Sequence, residues 1–379
     1  MKDVASQLGA LLAAVGGPPT GDGFFVDEAA SATSVDVSDS GGVATSNARD
    51  EEQSDIERMR RFATALGVAE APVVRIGWEA SAGRRGADRM EDRSIALSTD
   101  GLALAAVFDG HNGDACADYC KRHLVKALGA RLESNAAAGA AAHDDAVGAA
   151  HEAMMSSFPD LHAGWMKSLG ADESGCTALA ALCTPTRVLV ANAGDCRCVL
   201  WRTDAASGEH QLVAMNDEHT CALPAERARV EAAGASVSTT SDGKLRVGGI
   251  IQVTRCIGDA PLRHLGLTSE PEMRSVPIGP TDNALVHAPR LTHAMPISLA
   301  TALVHFSHCV ACVHWCAPVQ VMASDGLWDV MPEARVLHCL LHTAKSPDLI
   351  AKRLLTEALD RGTDDNTSVV VVFLRDLGL

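Results

Sequence analysis

The chain has 379 residues, 47% of them hydrophobic and 3% aromatic, and 48 Asp and Glu against 32 Lys and Arg leave a formal charge of −16. That hydrophobic share is enough for a large buried core and excludes a wholly disordered chain. The acidic balance opposes nucleic acid and anionic membrane surfaces as partners, and so few aromatics argue against a stacking platform for single strands.

Along the chain, Leu8–Val15 is apolar, but Lys2 is followed by Asp3 and no cleavage site appears. A secretory signal is therefore disfavoured, while a short organelle-targeting role stays open. Residues 1–70 hold 12 acidic and 5 basic residues among Ala, Ser and Gly. Such a segment buries too little apolar surface to offset its ordering entropy, so it is expected to be a mostly disordered acidic tail with a helix around Asp55–Leu66. Residues 71–379 are expected to form one domain. Leu102–Phe108 is a continuous apolar run, the pattern of a buried strand, and Cys116, Tyr119, Cys120, Leu124, Val125 and Leu128 then recur at helical spacing. Thr177–Cys183 and Arg187–Ala191 read as strands, and Cys196–Trp201 after the turn Asn192–Asp195 is expected to close a hairpin. Pro224–Ala233 reads as a short helix stopped by Gly234. Val319–Ala323 and Ser368–Leu374 are further strands. Between them Ser346 and Pro347 start a helix that Gly362 ends, with Leu349, Ile350, Leu354, Leu355, Ala358 and Leu359 on its apolar face. Strands in clusters, without strict helix alternation, point to a layered antiparallel α+β fold. The twelve cysteines lie at core-face spacings, such as Cys116 with Cys120 and Cys196 with Cys198. They read as reduced thiols in a cytoplasmic and/or nuclear protein.

Acidic residues stand at the ends of these apolar runs on short turns: Glu91 and Asp92, Asp109 before Gly110, Asp325 before Gly326, and Asp365. A strand in a core delivers its terminal side chain to a fixed place, and glycine lets ligands approach the backbone. Carboxylates gathered this way repel one another unless a cation lies among them, and oxygen donors without cysteine suit Mg²⁺ or Mn²⁺ better than zinc. Any one Asp-Gly pair read alone is a turn; the argument rests on the set.

In chain order, Met90-Glu91-Asp92, Asp109-Gly110-His111-Asn112-Gly113, Ser174-Gly175-Cys176-Thr177-Ala178, Ala191–Arg197, Arg255-Cys256-Ile257-Gly258-Asp259, Ser324–Asp329 and Asp365-Asn366 resemble the motifs of the PP2C (PPM) metal-dependent serine/threonine protein phosphatases. The resemblance runs from about Ile76 to Leu374. It implies a central antiparallel β-sandwich flanked by helices on both sides, with a site for two Mg²⁺ or Mn²⁺ ions at one edge. It assigns Asp109 to both ions, the Gly110 carbonyl and Glu91 to one of them, Asp325 and Asp365 to the other, and Asp92 to coordinated water. Asp172 and Asp329 match positions used for a weaker third ion. His111, two residues beyond Asp109, is placed to protonate the departing Ser or Thr oxygen. Phosphorylated proteins are the implied partners, with no nucleic acid, no membrane and a monomeric state.

Several positions depart from the family pattern. The usual phosphate-binding Arg falls on Ala87; Arg84, Arg85 and Arg89 are the candidates, and a two-residue insertion with Arg85 in that role is preferred. Asn112 replaces a glycine, which requires φ > 0 to be tolerated. Thr254-Arg255-Cys256 replaces the usual Ser-Arg-Ala, and Ser238–Gly243 lacks the Trp of the receptor-locked plant subgroup. The larger departure is 283–318, which holds five of the fifteen histidines, Cys309, Cys312, Cys316 and the single charge Arg290. A zinc site and a membrane span are both weaker readings of it than a loop insertion, or translated sequence that splicing should remove. The leading functional reading is a metal-dependent phosphoserine/phosphothreonine hydrolase. The alternative is a catalytically impaired PP2C-like binding module, with a small-molecule phosphatase or a nuclease further behind.

Overall fold

Seven consecutive buried residues need apolar partners on both faces, and β3 (Leu102–Phe108) finds them. Ala103, Ala105 and Val107 point into one cluster and Leu102, Leu104, Ala106 and Phe108 into another, as the two-residue period of a strand requires. The computed structural model describes residues 46–68, 74–99, 101–137, 143–168, 172–203, 207–241, 243–278, 319–343 and 346–374.

Two five-stranded antiparallel sheets carry the fold. The first runs β13-β7-β6-β3-β2, from β2 (Arg93–Thr99), β3, β6 (Ala178–Cys183), β7 (Arg187–Ala193) and β13 (Glu272–Pro277). The second runs β1-β15-β14-β8-β9, from β1 (Arg75–Ser81), β8 (Arg197–Thr203), β9 (His210–Ala214), β14 (Val319–Ala323) and β15 (Thr367–Phe373). Their inner faces share a core in which Ala105, Val107, Leu179 and Val190 meet Cys198, Leu200, Met322, Val370 and Val372. The outer face of the first sheet is covered by α1 (Ser46–Ala65), α2 (Ala115–Ala137) and α3 (His143–Ser168). The outer face of the second is covered by α6 (Glu333–Leu341) and α7 (Pro347–Asp360), which pack on Val369, Val371 and Phe373. This is a helix–sheet–sheet–helix sandwich, the layered α+β fold expected. Each Val or Phe buried in it stabilises the fold by about 1.5–3 kcal/mol relative to exposure.

Register sets where the strand ends fall. Arg93 pairs with Phe108, so Asp92 and Asp109 lie side by side. Ala323 pairs with both Val369 and Arg197, so Asp325, Asp365 and Asp195 gather at the same edge of the sandwich. The remaining elements crown that edge. They are β4 (Gly110–His111), β5 (Gly175–Cys176) and β12 (Ile257–Gly258) in a small sheet, α4 (Pro224–Ala232), and a hairpin of β10 (Val237–Thr239) and β11 (Leu245–Val247). The four-residue helix α5 (Asp325–Trp328) follows β14.

Several details differ from the sequence expectation. The turn at Asn192–Asp195 does not close a hairpin: β7 pairs with β6 and β13, whereas β8 pairs with β14 and β9. Both strands are apolar on both faces, so each takes partners from a different sheet and the turn crosses between them. The helix placed around Asp55–Leu66 runs from Ser46, and its Met59, Phe62 and Ala63, with Leu66 beyond it, join the core over α2. Packing thus recruits residues upstream of position 70. In α7, Leu349 and Leu359 are exposed, because Ile350, Ala351, Leu354, Leu355 and Ala358 already fill the stripe that faces β15. Ser346 takes the cap position there without a side-chain cap bond. The stretch 283–318 and the tail before residue 46 lie outside the described residues. Among the described residues no helix is long and apolar enough to cross a membrane.

Candidate active site

A cleft of about 520 Å³ opens at the sandwich edge, lined by Asp109, Asp195, Asp325 and Asp365 on its floor and by Arg85, His111, Lys244 and Asp259 on its walls. Asp109 directly follows β3, and its backbone is fixed by Thr177, whose amide donates to the Asp109 carbonyl at 2.9 Å. Asp92 is buried behind it and accepts a bond from Ser324 Oγ at 2.9 Å. Asp325 opens α5, and Asp365 stands just before β15, with Asn366 N donating to its Oδ1 at 2.7 Å.

Asp92, Asp109, Asp195 and Asp325 hold their protons unusually tightly. Burial and the charges of Asp92, Asp325, Asp195 and Asp365 push Asp109 well above the usual carboxylate range. Burial, opposed by the nearby Ser368 and Ser324 hydroxyls, pushes Asp92 up to about 6. Burial together with Asp195, Asp365 and Asp329 pushes Asp325 up to about 8. Asp195 is raised by burial as well, against its 2.7 Å bond from Gln252 Nε2. Two carboxylate oxygens, Asp92 Oδ1 and Asp325 Oδ1, are buried with no hydrogen-bond partner, a condition that costs about 1–3 kcal/mol or more for each such group. An all-oxygen set with convergent negative charge and orphaned oxygens fits hard dications such as Mg²⁺ or Mn²⁺.

Arg85, Lys244 and Arg246 bring positive charge to the cleft lining. Arg85 donates to Asp365 Oδ2 at 2.7 Å and lies 3.5 Å from Glu91 Oε2, and it lines both the main cleft and a neighbouring one shared with Arg89 and Glu91. Of the three candidate arginines, Arg84 instead pairs with Asp364, and neither Arg84 nor Arg89 lines the main cleft. Lys244, carried by the β10–β11 hairpin, is 2.9 Å from Asp329 and 3.9 Å from Asp325.

His111 faces Asp259 across the cleft wall, with Nε2 2.8 and 2.9 Å from its two carboxylate oxygens. Burial alone would lower the basicity of this imidazole, but the hydrogen bond and charge of Asp259 outweigh it and raise it. The pair fits because residue 175 is glycine. A Cβ there would strike the Asp259 carboxylate and lie 2.6 Å from His111 Nε2. Asn112, next in the chain, adopts φ +58°, the left-handed conformation its position demanded.

The remaining expected ligands sit apart from the cleft lining. Glu91 accepts the amide of Gly113 at 2.7 Å and lines the neighbouring cleft, while its own carbonyl comes within 2.5 Å of where a Cβ on Gly110 would be. Asp172 turns back to accept the amide of Ser174 at 2.8 Å, and Asp329 is held by Lys244. Sequence reasoning gave no role to Asp195, Asp259, Lys244 or Gln252. The first two stand inside motifs quoted above, but their partners are distant in the chain. Arg255 pairs with buried Glu226 at 2.7 Å; despite burial, its hydrogen bonds and those of Thr254 and Arg229 lower that carboxyl to about 2, so this arginine braces the cleft wall.

A profile of the family described as Protein phosphatase 2C matches residues 77–289 and 319–367. A rice (Oryza sativa subsp. japonica) protein named protein kinase and PP2C-like domain-containing protein is 33% identical over 80% of this chain, which spans 40% of that protein's length. A protein of Arabidopsis thaliana named probable protein phosphatase 2C 69 is 28% identical over 82% of this chain and 73% of its own. Among solved structures, a serine-threonine phosphatase 2C from Toxoplasma gondii superimposes with a TM-score of 0.60 at 19% identity, covering 80% of this chain and 95% of that one. A C. elegans sex-determining protein gives 0.61 at 22%, covering 80% and 65%. These superpositions agree with the sandwich described above.

Proposed function

Because the chain belongs to the protein phosphatase 2C family, we propose that it hydrolyses phosphoserine and phosphothreonine in proteins at a site for two Mg²⁺ or Mn²⁺ ions. The observation that carries this reading is the convergence of Asp109, Asp325 and Asp365 on one cleft with Asp92 buried behind them, and with the buried oxygens Asp92 Oδ1 and Asp325 Oδ1 unpartnered. Asp109, Gly110 and Glu91 would hold one ion, and Asp109, Asp325 and Asp365 the other, with Asp92 supporting from behind. Bound there, such ions supply Lewis acidity and a water activated near neutral pH, and they offset charge on an in-line phosphoryl transition state. For a third ion, the carboxylates of Asp325 and Asp329 are already bridged by the Lys244 ammonium, so that ion would have to displace it.

The chain's own groups do the rest. Arg85, at the cleft mouth, can turn its planar guanidinium from Asp365 to two phosphate oxygens. His111, whose hold on its proton Asp259 strengthens, is placed to give that proton to the leaving alkoxide. The apolar wall of Ile250, Ile251, Pro261 and Leu262 would pack against residues flanking the phosphorylated side chain and exclude water. The nine described cysteines, all free and buried, support a reducing compartment, cytoplasmic or nuclear. Phosphate release from a phosphothreonine peptide and from free sugar phosphates, each with Mn²⁺ or Mg²⁺, tests the proposal. Turnover of the peptide alone supports it, turnover of the sugar phosphates alone makes it a small-molecule phosphatase, and no turnover in folded, metal-loaded protein makes it a binding module.

A further inference from the structure

Behind the His111–Asp259 pair, on the side away from the cleft, three thiols meet. Cys116 and Cys120 lie one turn apart on α2, and Cys176 ends β5 beneath them. Cys176 Sγ is 3.7 Å from Cys116 Sγ and 3.7 Å from Cys120 Sγ, and all three sulfurs lie within 4.8 Å of one another. None of the three residues has any exposed surface.

We infer that Cys116, Cys120 and Cys176 form a binding site for one thiophilic cation, monovalent copper, separate from the carboxylate cleft. Thiolates that share an ion at about 2.3 Å stand roughly 3.8–4.0 Å apart for angles between tetrahedral and trigonal, so the two pairs that Cys176 makes need open by only a few tenths of an ångström. Among the described residues no imidazole or carboxylate belongs to the group. A closed structural zinc site takes four ligands, whereas soft sulfur donors alone select Cu⁺. The first turn of the 23-residue helix α2 favours negative charge at Cys116, whereas burial pushes the Cys120 and Cys176 thiols up, so their deprotonation would be driven by the ion itself. The neighbouring Cys120 and Cys176 thiols, against burial, also bring the Cys116 thiol down to about 5.

Burial does not bar entry if loading accompanies folding, as it does for structural metal sites. Uptake involves no redox change: Cu⁺ and three thiols give a trithiolate complex of net charge −2 and release three protons to solvent. The ion would pin α2 to β5, the strand whose Gly175 backs the His111–Asp259 pair.

The test uses the full chain carrying Cys309→Ala, Cys312→Ala and Cys316→Ala, so that thiols of that segment do not compete. Reduced protein refolded anaerobically with Cu⁺ is challenged with a chromophoric Cu⁺ chelator. The expected result is one retained equivalent, lost in Cys120→Ala and kept in Cys339→Ala. X-ray absorption on the loaded parent should give three sulfur neighbours at about 2.3 Å, a readout that does not depend on whether Cys120→Ala folds. An unchanged equivalent in Cys120→Ala, a nitrogen or oxygen shell, or equimolar displacement of Cu⁺ by Zn²⁺ would overturn the assignment.

Discussion

Replacing Asp259 with Asn keeps the size and most hydrogen bonding of the side chain but removes the charge that faces His111. Asp259 Oδ1 and Oδ2 both lie within 2.9 Å of His111 Nε2, and it is this carboxylate that outweighs the burial penalty on the imidazolium. A charge-assisted hydrogen bond contributes about 1.5–3 kcal/mol. Its loss should therefore cost roughly 10- to 150-fold in the step that His111 assists, at 1.36 kcal/mol per tenfold. The assay compares kcat on a phosphothreonine peptide, whose alkoxide leaves poorly, with kcat on p-nitrophenyl phosphate, whose phenolate needs no proton. The peptide rate should fall by that factor while the aryl rate changes by less than about threefold, since general acid catalysis matters in proportion to leaving-group basicity. The alkaline limb of wild-type activity, where His111 loses its proton, should also lie higher in pH than that of Asp259→Asn. Equal losses on both substrates would refute the reasoning, because they would place Asp259 in support of the metal site or the fold instead of the proton donor.

Further predictions rest on other parts of the structure. Arg85→Ala should lower kcat/KM for the peptide roughly 10- to 100-fold, mostly through KM, while Arg84→Ala, whose guanidinium faces Asp364, changes it little; steady-state kinetics decides. Asp325 holds its proton to about pH 8 when folded but only to about 4 when unfolded. Between those values the folded state is the more protonated, so the metal-free chain should lose stability as pH rises from about 5 to about 8. Thermal melts should show that slope, flattened in Asp325→Asn and reversed by Mn²⁺; a metal-free midpoint that rises with pH would contradict it. Phe62→Ala should cost about 3–5 kcal/mol in urea unfolding, because this α1 ring is 3% exposed and packs on α2 at Gly129. A loss under 1 kcal/mol would place α1 outside the folded unit.

What the sequence could and could not disclose follows from the range of the interactions. Leu102–Phe108 and Val319–Ala323 match the observed strands residue for residue, because a strand buried on both faces writes itself as an unbroken apolar run. The strand-end acids of the floor were found for the same reason: Asp109 and Asp325 stand one and two residues past such runs. Strand pairing is not local, so the crossing at Asn192–Asp195 looked like a hairpin. Asp259 meets His111 across 148 residues of chain, and Lys244 meets Asp329 across 85; no spacing rule reaches that far. The helix expected around Asp55–Leu66 is there, but the composition of the tail hid its length and its packing in the same way, since Met59 and Phe62 become core residues only once α2 is there to receive them.

The central claim is that the carboxylate cleft is a metal-dependent phosphatase site, and phosphate release from a phosphothreonine peptide tests it most directly. Multiple turnovers are expected with Mn²⁺ or Mg²⁺, none with chelator, and none in Asp109→Ala that retains the wild-type far-ultraviolet spectrum. Turnover that persists in Asp109→Ala, or that proceeds unchanged in chelator, would contradict it.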